Sequence, residues 1–262
     1  MAVVVCASAV GSPGVTTTAL GLALMWDRDV LLVDADRDPS QAIQAGYLRG
    51  ADLGGRGLAG IARAHRERRS VHDELTSQSV PLTSDDAVSR RFLPGFGHPG
   101  AASLFGQVWP DFANGLSALG AAGTDVIVDA GRIGREGLPA SLLIEADAVV
   151  VCVRSSLPAL AALRLHLPGL AEQVEALPGH TDLGLGVIGE GRPYSSPEIS
   201  KAFGVPVSFT LAFDAAQAAV LSEGAVENRR FGEGSLPRSL RAAASGLRAG
   251  IMARSRLIGG AA

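Results

Sequence analysis

A short turn rich in small residues follows the first apolar run of the chain and is suited to hold phosphate. The run Val3–Cys6 leads into residues 9–18, which read Ala-Val-Gly-Ser-Pro-Gly-Val-Thr-Thr-Thr, and a helical pattern follows. Small residues let backbone N–H groups converge on an anion at the N-terminus of the following helix. Two classes of ligand use that geometry, a dinucleotide and a nucleoside triphosphate.

The dinucleotide interpretation depends on two glycines and one acid. Gly11 and Gly14 follow the strand, and the next apolar run ends in Asp34, about 20 residues beyond Gly14, where a ribose-binding acid would lie. Thr17 occupies the position of the third glycine in that fingerprint. A degenerate glycine pattern is weakly specific, so a dinucleotide-binding oxidoreductase stays open as an alternative.

The triphosphate interpretation compares the turn with a P-loop, Gly-x-x-x-x-Gly-Lys-Ser/Thr, whose hydroxyl binds Mg²⁺. The turn fits this frame from Ala9 to Thr16, so Thr16 is the candidate Mg²⁺ ligand and Val15 stands at the lysine position. A hydroxyl at a helix start that binds no metal is the plainer interpretation of Thr16.

Acids end two of the apolar runs and favour the triphosphate over the dinucleotide. Asp34 and Asp36 follow one run, and Asp129 follows another in the manner of a Walker B acid. Ligands of doubly wound sheets bind at the carboxyl ends of the strands, where these acids are expected. A helix N-cap or a surface acid is the plainer interpretation of Asp36.

Together these motifs resemble the ParA/MinD family of deviant Walker ATPases. The family loop is similar to Lys-Gly-Gly-x-Gly-Lys-Thr-Thr, a pattern that residues 10–17 fill here, and Asp34-Ala35-Asp36 with Asp38-Pro39 resembles the family's Asp-x-Asp-Pro strand end. The resemblance continues at Asp129, at residues 146–150, and at residues 204–207 with Asp214 beyond.

The resemblance implies ATP and Mg²⁺ as cofactors and assigns roles to residues of this chain. Asp36 would position or deprotonate the attacking water, and Thr16, Asp34 and Asp129 would serve the metal. The implied nucleotide-binding residues are Gly11, Ser12, Pro13, Gly14, Val15, Thr16, Thr17 and Asp214.

Two substitutions depart from the family loop. Val10 replaces the lysine that contacts the nucleotide of a dimer partner, and Val15 replaces the lysine of the β- and γ-phosphates. The chain has 23 basic residues, of which Lys201 is the only lysine; Arg37, Arg132 and Arg154 are the candidate replacement cations. We therefore expect weak or absent ATP hydrolysis and a homodimer, if one forms, that does not depend strongly on ATP. An active ATPase with an unusual lysine-free loop is the alternative.

The elements that must position these residues alternate between apolar strands and helices. The predicted strands are 2–8, 30–33, 91–93, 125–128, 148–153, 183–188 and 205–210. The predicted helices are 16–26, 40–46, 57–69, 101–119, 138–145, 157–177, 197–203, 214–223 and 236–256. Continuous apolar strands that alternate with helices predict an α/β fold, a doubly wound and mostly parallel sheet with helices on both faces. We expect one domain over 1–262, a helical excursion at 48–90, and a basic C-terminal helix and tail at 235–262.

Composition and charge restrict the function classes. Hydrophobic residues make up 47% of the 262 and charged residues 19%, which excludes a disordered chain, and the two cysteines exclude a disulfide scaffold. No apolar run is long enough to span a membrane, so we expect a cytoplasmic protein with buried free thiols. Residues 228–262 hold seven arginines and one acid, so this segment has a net charge of +6. The whole chain has a net charge of −3, so residues 1–227 carry −9. We call the arginines of residues 228–262 the arginine face, and they predict weak, salt-labile contact with DNA or anionic membrane. The protein would then be located peripherally at the membrane or nucleoid.

The functional expectation follows from the resemblance. The chain is most similar to short MinD-like proteins of the CpaE/TadZ type, which implies the positioning or assembly of cellular cargo such as pilus or secretion machinery, or DNA, with a protein partner. The identity of that partner does not follow from the residues.

Overall fold

Eight strands of one sheet are found in the computed structural model, which describes residues 2–10, 14–84, 87–178 and 181–259, with side chains through residue 257. The strands are β1 (Val3–Ser8), β2 (Val30–Asp34), β3 (Val80–Pro81), β4 (Arg90–Leu93), β5 (Asp125–Arg132), β6 (Ala148–Arg154), β7 (Asp182–Ile188) and β8 (Val207–Leu211). Their order across the sheet is β3-β4-β2-β5-β1-β6-β7-β8. All pairs are parallel except β3 with β4, which confirms the predicted fold class.

Helices cover both faces of this sheet. Within the described ranges they are α1 (Val15–Met25), α2 (Ala42–Ala45), α3 (Leu58–Arg66), α4 (Val71–Gln78), α5 (Pro99–Leu104), α6 (Trp109–Ala121), α7 (Ala140–Ile144), α8 (Leu157–Glu175), α9 (Ser196–Phe203), α10 (Ala215–Ser222) and α11 (Ser235–Gly259), with a 3-10 turn at Phe231–Glu233. Every residue of β1 and β2 is buried, as expected for strands covered on both sides. Alternate residues of β1 enter different cores: Val5 belongs to the one that holds α6, and Cys6 to the one that holds α1 and α11.

The strand order brings three carboxyl ends together at the middle of the sheet. β1 lies between β5 and β6, and β5 lies between β1 and β2. The register pairs Asp129 of β5 with Asp34 of β2 on one side and with Cys6 of β1 on the other. The turn after β1 and the acids that end β2 and β5 therefore share one edge of the sheet.

The predicted helix over 101–119 is wrong. The chain forms α5 and α6 instead, with a break at residues 105–108. Pro110 stands in the first turn of α6, where its fixed backbone angle suits a helix start. Phe105 lies at the break, and its ring is 4.8 Å from that of Trp109 and 5.5 Å from that of Phe112. An aromatic cluster thus fills the break that the apolar pattern had joined into one helix.

The stretch 48–90 contains the helices α3 and α4 and also a strand that was not predicted. β3 is two residues long and pairs antiparallel with β4 at the edge of the sheet. Pro81 cannot donate a backbone hydrogen bond, so it suits an edge position. A pair of residues is too short to show a periodic signal.

The C-terminal helix α11 packs along α1 and β8. One face of this helix is apolar and buried, through Leu236, Leu240, Ala244, Leu247 and Ile251. The contact with α1 is close, because a Cβ on Gly21 would lie 2.5 Å from Leu240 Cδ1. No helix in the described ranges combines the length and apolarity that crossing a bilayer requires.

Two arginines of α11 are already engaged with acids of the protein. Arg248 forms a salt bridge with Asp27, and Arg254 forms one with Asp182. These pairs reduce the number of arginines on this helix that can face a polyanion. The predicted arginine face is therefore narrower than the sequence suggested.

Candidate functional site

The turn after β1 delivers the first turn of α1 to the carboxyl edge of the sheet. Gly14 adopts a left-handed backbone with φ of 89°, which glycine takes without strain, and its carbonyl accepts from the Thr18 N–H at 2.8 Å. No side-chain hydrogen bond from a described residue caps α1. The N-terminus of this helix is therefore a candidate site for an anion. The predicted site residues Gly11, Ser12 and Pro13 lie outside the described residues.

The two valines at the lysine positions have different surroundings. Val15 is only 8% exposed and packs with the core residues between the sheet and α11. Val10 is 36% exposed. The site therefore has an apolar group where the family loop would present its phosphate-binding lysine.

Asp34 and Asp129 form a pair of buried carboxyl groups on neighbouring strands. Asp129 is 1% exposed; its Oδ1 accepts from the Gly131 N–H at 3.0 Å, and its Oδ2 has no hydrogen-bond partner of normal geometry in the described part of the chain. Asp34 Oδ1 accepts from the Asp36 N–H at 3.2 Å. An acid with one buried, unsatisfied oxygen is uncommon unless that oxygen serves a ligand or an ion.

Burial changes the acidity of both groups. Loss of hydration, followed by the charge of Asp129, raises the pKa of Asp34 to about 8. Loss of hydration also raises the pKa of Asp129 to about 6, although the side chain of Thr16 and the Gly131 N–H stabilise its charged form. Thr16 thus lies beside Asp129, as expected for residues that would share a metal ion. A cation placed between these groups would favour the charged form of both.

Asp36 lies over a glycine of the neighbouring strand. A Cβ on Gly131 would come within 2.0 Å of Asp36 Cγ, and Gly131 has φ of 64°. Asp36 Oδ1 accepts from the Asp38 N–H at 2.9 Å, and burial raises the pKa of Asp36. Sequence reasoning missed Gly131, although its place two residues after Asp129 was a usable signal.

Gly95 stands against Asp34 in a similar way. A Cβ on Gly95 would lie 2.6 Å from Asp34 Cγ, so any larger residue would displace the carboxyl group. This glycine follows β4, and nothing in the sequence spacing linked it to Asp34.

Two of the three candidate replacement cations already bind other groups of the protein. Arg37 donates to the carbonyls of Ile133 and Gly137, and Arg132 forms a salt bridge with Asp38 at 3.3 Å. Arg154, the third, ends β6, and its guanidinium carbon lies 4.9 Å from the centre of the Phe213 ring.

A cavity of about 420 Å³ adjoins the turn on the side of β7 and β8. Its lining includes Gly14, Thr17, Arg154, Phe213 and Asp214. The Asp214 carboxylate caps α10 by accepting from the Gln217 N–H at 3.0 Å, and it also accepts from the Ser235 hydroxyl at 3.3 Å. Its predicted role toward the nucleotide stays a prediction, because the structure gives it a capping role at the cavity wall.

The donors at this edge suit a hard cation better than a soft one. No group of three His, Cys, Asp or Glu side chains in the described ranges could hold a metal by itself. Mg²⁺ commonly takes one or two carboxylates and completes its shell with water and phosphate oxygens. The Thr16 hydroxyl and the Asp129 carboxylate, with its unsatisfied Oδ2, fit that requirement.

Comparisons with known proteins add the fold relationship. No known protein-family profile matches the chain, and no curated protein matches it by sequence. Solved structures do match. A ParA family ATPase from Chlorobium tepidum TLS aligns over 93% of this chain and 98% of its own, with a TM-score of 0.69 and 16% identity. The chain has the ParA/MinD fold.

Two further structures with the ParA/MinD fold are similar along their whole length. The MinD cell division protein of Aquifex aeolicus aligns over 95% of this chain and 98% of its own, with a TM-score of 0.67 and 15% identity. The septum site-determining protein MinD of Pyrococcus horikoshii OT3, solved in complex with Mg-ADP, aligns over 93% and 94%, with a TM-score of 0.60 and 16% identity. At these identities the likeness shows the fold alone.

Proposed function

We propose that this chain binds ATP with Mg²⁺ at the turn after β1 and uses the bound state to position or assemble cellular cargo. The observation that carries the proposal is the buried pair Asp34 and Asp129 beside Thr16, at the N-terminus of α1. Buried acids with raised pKa values are unfavourable for stability when ionised, and such groups concentrate at functional sites.

The residues present fit a magnesium nucleotide. Thr16 and Asp129 would hold Mg²⁺, and Asp34 would support it from the neighbouring strand. The ion would offset negative charge on the phosphates, while the first-turn N–H groups of α1 would donate to phosphate oxygens. The Mg-ADP complex of the P. horikoshii protein supports the same ligand class for this fold.

Hydrolysis by this chain is proposed to be slow or absent. The lysine position holds Val15, whose side chain is packed in the core and carries no charge. Loss of one such electrostatic contact typically lowers a rate by about 10² to 10³. Asp36, at the edge of the site, would be the group that orients water if any turnover occurs.

The proposed biological role is spatial. The P. horikoshii protein with this fold is a septum site-determining protein, and the A. aeolicus protein is a cell division protein. By analogy, the cargo would be pilus or secretion machinery, or DNA, engaged with a protein partner. A fluorescent fusion of the full chain should gather at discrete sites in its native cell, and a uniform distribution would contradict this role.

The dinucleotide alternative receives less support from the geometry. Asp34, its candidate ribose-binding acid, is 8% exposed and is enclosed by Gly95 and the Asp36 N–H. A ribose would need this carboxylate at the surface of the cavity. An active ATPase remains the stronger second candidate, because Arg154 offers a cation near the turn.

The identity of the bound nucleotide tests these candidates directly. Purified protein should be denatured and the released small molecules separated by chromatography, with titrations of ATP, ADP and NAD in parallel. We expect adenine nucleotide binding that strengthens with Mg²⁺. Preferential binding of NAD would refute the proposal in favour of the oxidoreductase.

The metal contribution has a matched pair of variants. Thr16→Val keeps the shape of the side chain but removes the hydroxyl, so it should abolish most of the gain in ATP affinity from Mg²⁺; Thr16→Ser should retain it. Phosphate release should be near background in the native chain. Turnover equal to that of lysine-containing relatives, lost in Asp36→Ala, would instead select the active ATPase.

A further inference from the structure

The proposed site needs a positive charge that its own turn does not supply. Val10 and Val15 occupy the lysine positions, and Lys201 lies in α9. The phosphates of ATP carry several negative charges, and burying such charges without compensation is unfavourable. Mg²⁺ at Thr16 and Asp129 would offset part of this charge, and a cation from another element would offset more of it.

Arg154 is the one cation among the described residues that line the cavity beside the turn. It ends β6, the strand next to β1, and the register aligns it with Ile188 of β7. The Cδ1 of Ile188 lies 3.6 Å from the position that a Cβ on Gly14 would take. The strand end that carries Arg154 is therefore adjacent to the turn that starts α1.

Among the described residues, no salt bridge or hydrogen bond neutralises Arg154, although the carboxylates of Asp214 and Glu223 line the same cavity. Its guanidinium stacks near the Phe213 ring, at 4.9 Å from the ring centre. Aromatic stacking orients a guanidinium while its N–H donors stay available. By contrast, Arg37 donates hydrogen bonds to backbone carbonyls, and Arg132 forms a salt bridge with Asp38.

The backbone that follows Arg154 is also fixed. The Ser155 N–H donates to the carbonyl of Ile188 at 3.0 Å. The buried Ser155 hydroxyl donates to the carbonyl of Tyr194 at 2.7 Å and accepts from the Tyr194 N–H at 3.1 Å. A cation on so well-tied a strand end needs little reordering to meet a ligand.

We propose that Arg154 binds the phosphate chain of the nucleotide in place of the lysine that the turn lacks. This inference depends on the proposed function, because it names the cation of that same site. Arginine presents a planar fork of donors that can hold a phosphate through two parallel hydrogen bonds. It would act as a binding and positioning residue that raises affinity for the phosphate part of the ligand.

The test compares phosphate-bearing and phosphate-free ligands on the full chain. Titrations of ATP and of adenosine would be measured for the native protein, Arg154→Gln and Arg154→Lys, with tripolyphosphate as a competitor. Arg164→Gln is the matched control, because Arg164 also lies over an aromatic ring, at 6.0 Å from the centre of Phe203, but lines a different groove. Thermal unfolding of each variant confirms that it is folded.

We expect Arg154→Gln to weaken ATP binding about 10- to 100-fold, the loss typical of a hydrogen bond to a charged group. Adenosine binding should change less than about 2-fold. Arg154→Lys should recover part of the ATP affinity because the charge remains, and Arg164→Gln should match the native protein. The effect of Arg154→Gln should also shrink at high salt, since charge attraction is screened.

Several outcomes would overturn the inference. Equal ATP affinity in the native protein and Arg154→Gln would remove Arg154 from the phosphate site while the proposed function stands. An equal loss of ATP and adenosine affinity would assign Arg154 to the base or to the cavity wall. If the folded native protein binds no nucleotide, the proposed function fails and this inference with it; binding of tripolyphosphate alone, lost in Arg154→Gln, would keep the phosphate contact but reject the nucleotide.

Discussion

Replacing Asp34 by asparagine should make the protein more stable at neutral to alkaline pH. The side chain is buried, faces Asp129 across the strand pair, and has a pKa raised to about 8, mainly by loss of hydration. An asparagine has nearly the same shape as a protonated aspartate and can still accept from the Asp36 N–H. The variant therefore imitates the acid form of Asp34 at every pH.

The sign and size of the effect follow from linkage. Between the unfolded pKa of 3.8 and the folded pKa of about 8, the unfolded chain releases the proton that the folded chain retains, so stability falls as pH rises. Each pKa unit corresponds to about 1.36 kcal/mol. Over about three pH units, from about pH 5 to about pH 8, the native protein should lose on the order of 4 kcal/mol through this group alone. In Asp34→Asn, this contribution to the free energy of unfolding should not change with pH.

Urea unfolding at about pH 5 and about pH 8 measures the difference. At the lower pH, about one unit above the unfolded pKa of 3.8, the variant should already be more stable by about 1–2 kcal/mol, and at the higher pH this difference should be larger by on the order of 4 kcal/mol. A native protein and a variant with the same pH dependence would refute the account of Asp34 as a strained, buried acid. The same variant should bind Mg²⁺ nucleotide more weakly, because the substitution that stabilises the fold also removes a negative charge that would interact with the ion.

Asp125 provides the control, since it is also buried, at the end of β5 opposite to Asp129. Its two oxygens accept from the Ala2 N–H at 2.8 Å and from Trp26 Nε1 at 2.9 Å. Asp125→Asn would place an amide N–H against one of these donors. It should lower stability at both pH values by about 1–3 kcal/mol, the opposite of Asp34→Asn.

Three other predictions concern the site and the surface. Gly131→Ala should destabilise the fold by about 1–3 kcal/mol and displace Asp36, because Gly131 has φ of 64° and the added Cβ would clash with Asp36 Cγ. An unchanged midpoint of urea unfolding would contradict this prediction. Sedimentation should show no clean conversion of monomer to dimer when ATP and Mg²⁺ are added, since Val10 cannot reach a partner's phosphate; such a conversion would reject the prediction. Changing Arg238 and Arg241 to Gln should weaken DNA or vesicle binding, already slight and salt-labile, more than changing Arg248, which is paired with Asp27; the reverse order would count against it.

Much of the framework was predictable because its signals are local. Continuous apolar runs located seven of the strands to within a few residues. The helix predicted over 197–203 forms as α9, which begins one residue earlier, with Pro197 and Glu198 in its first turn. The thiols of Cys6 and Cys152 are free and buried, as predicted. In each case the residue type alone fixes the local preference.

The rest depended on which strands become neighbours. Nothing in the spacing of Asp34 and Asp129 states that β2 and β5 lie side by side, so their mutual effect on acidity emerges only from the register. The closeness of Gly95 to Asp34 has the same origin. The break between α5 and α6 was missed for a different reason, because an aromatic cluster satisfies the apolar pattern on both sides of it.

The position of α11 bears on how the protein is made. Leu236 and Leu240 of this helix line the cavity beside the turn, and Arg248 bonds to Asp27 across 221 positions of the chain. Chains emerge from the ribosome N-terminus first, so the turn and β1 are synthesised long before the helix that closes their cavity. Contacts between such distant segments form late and slow the approach to the native state. The nascent chain should therefore acquire affinity for its ligand only after α11 has left the ribosome, so cells would hold no partly made, ligand-competent copies.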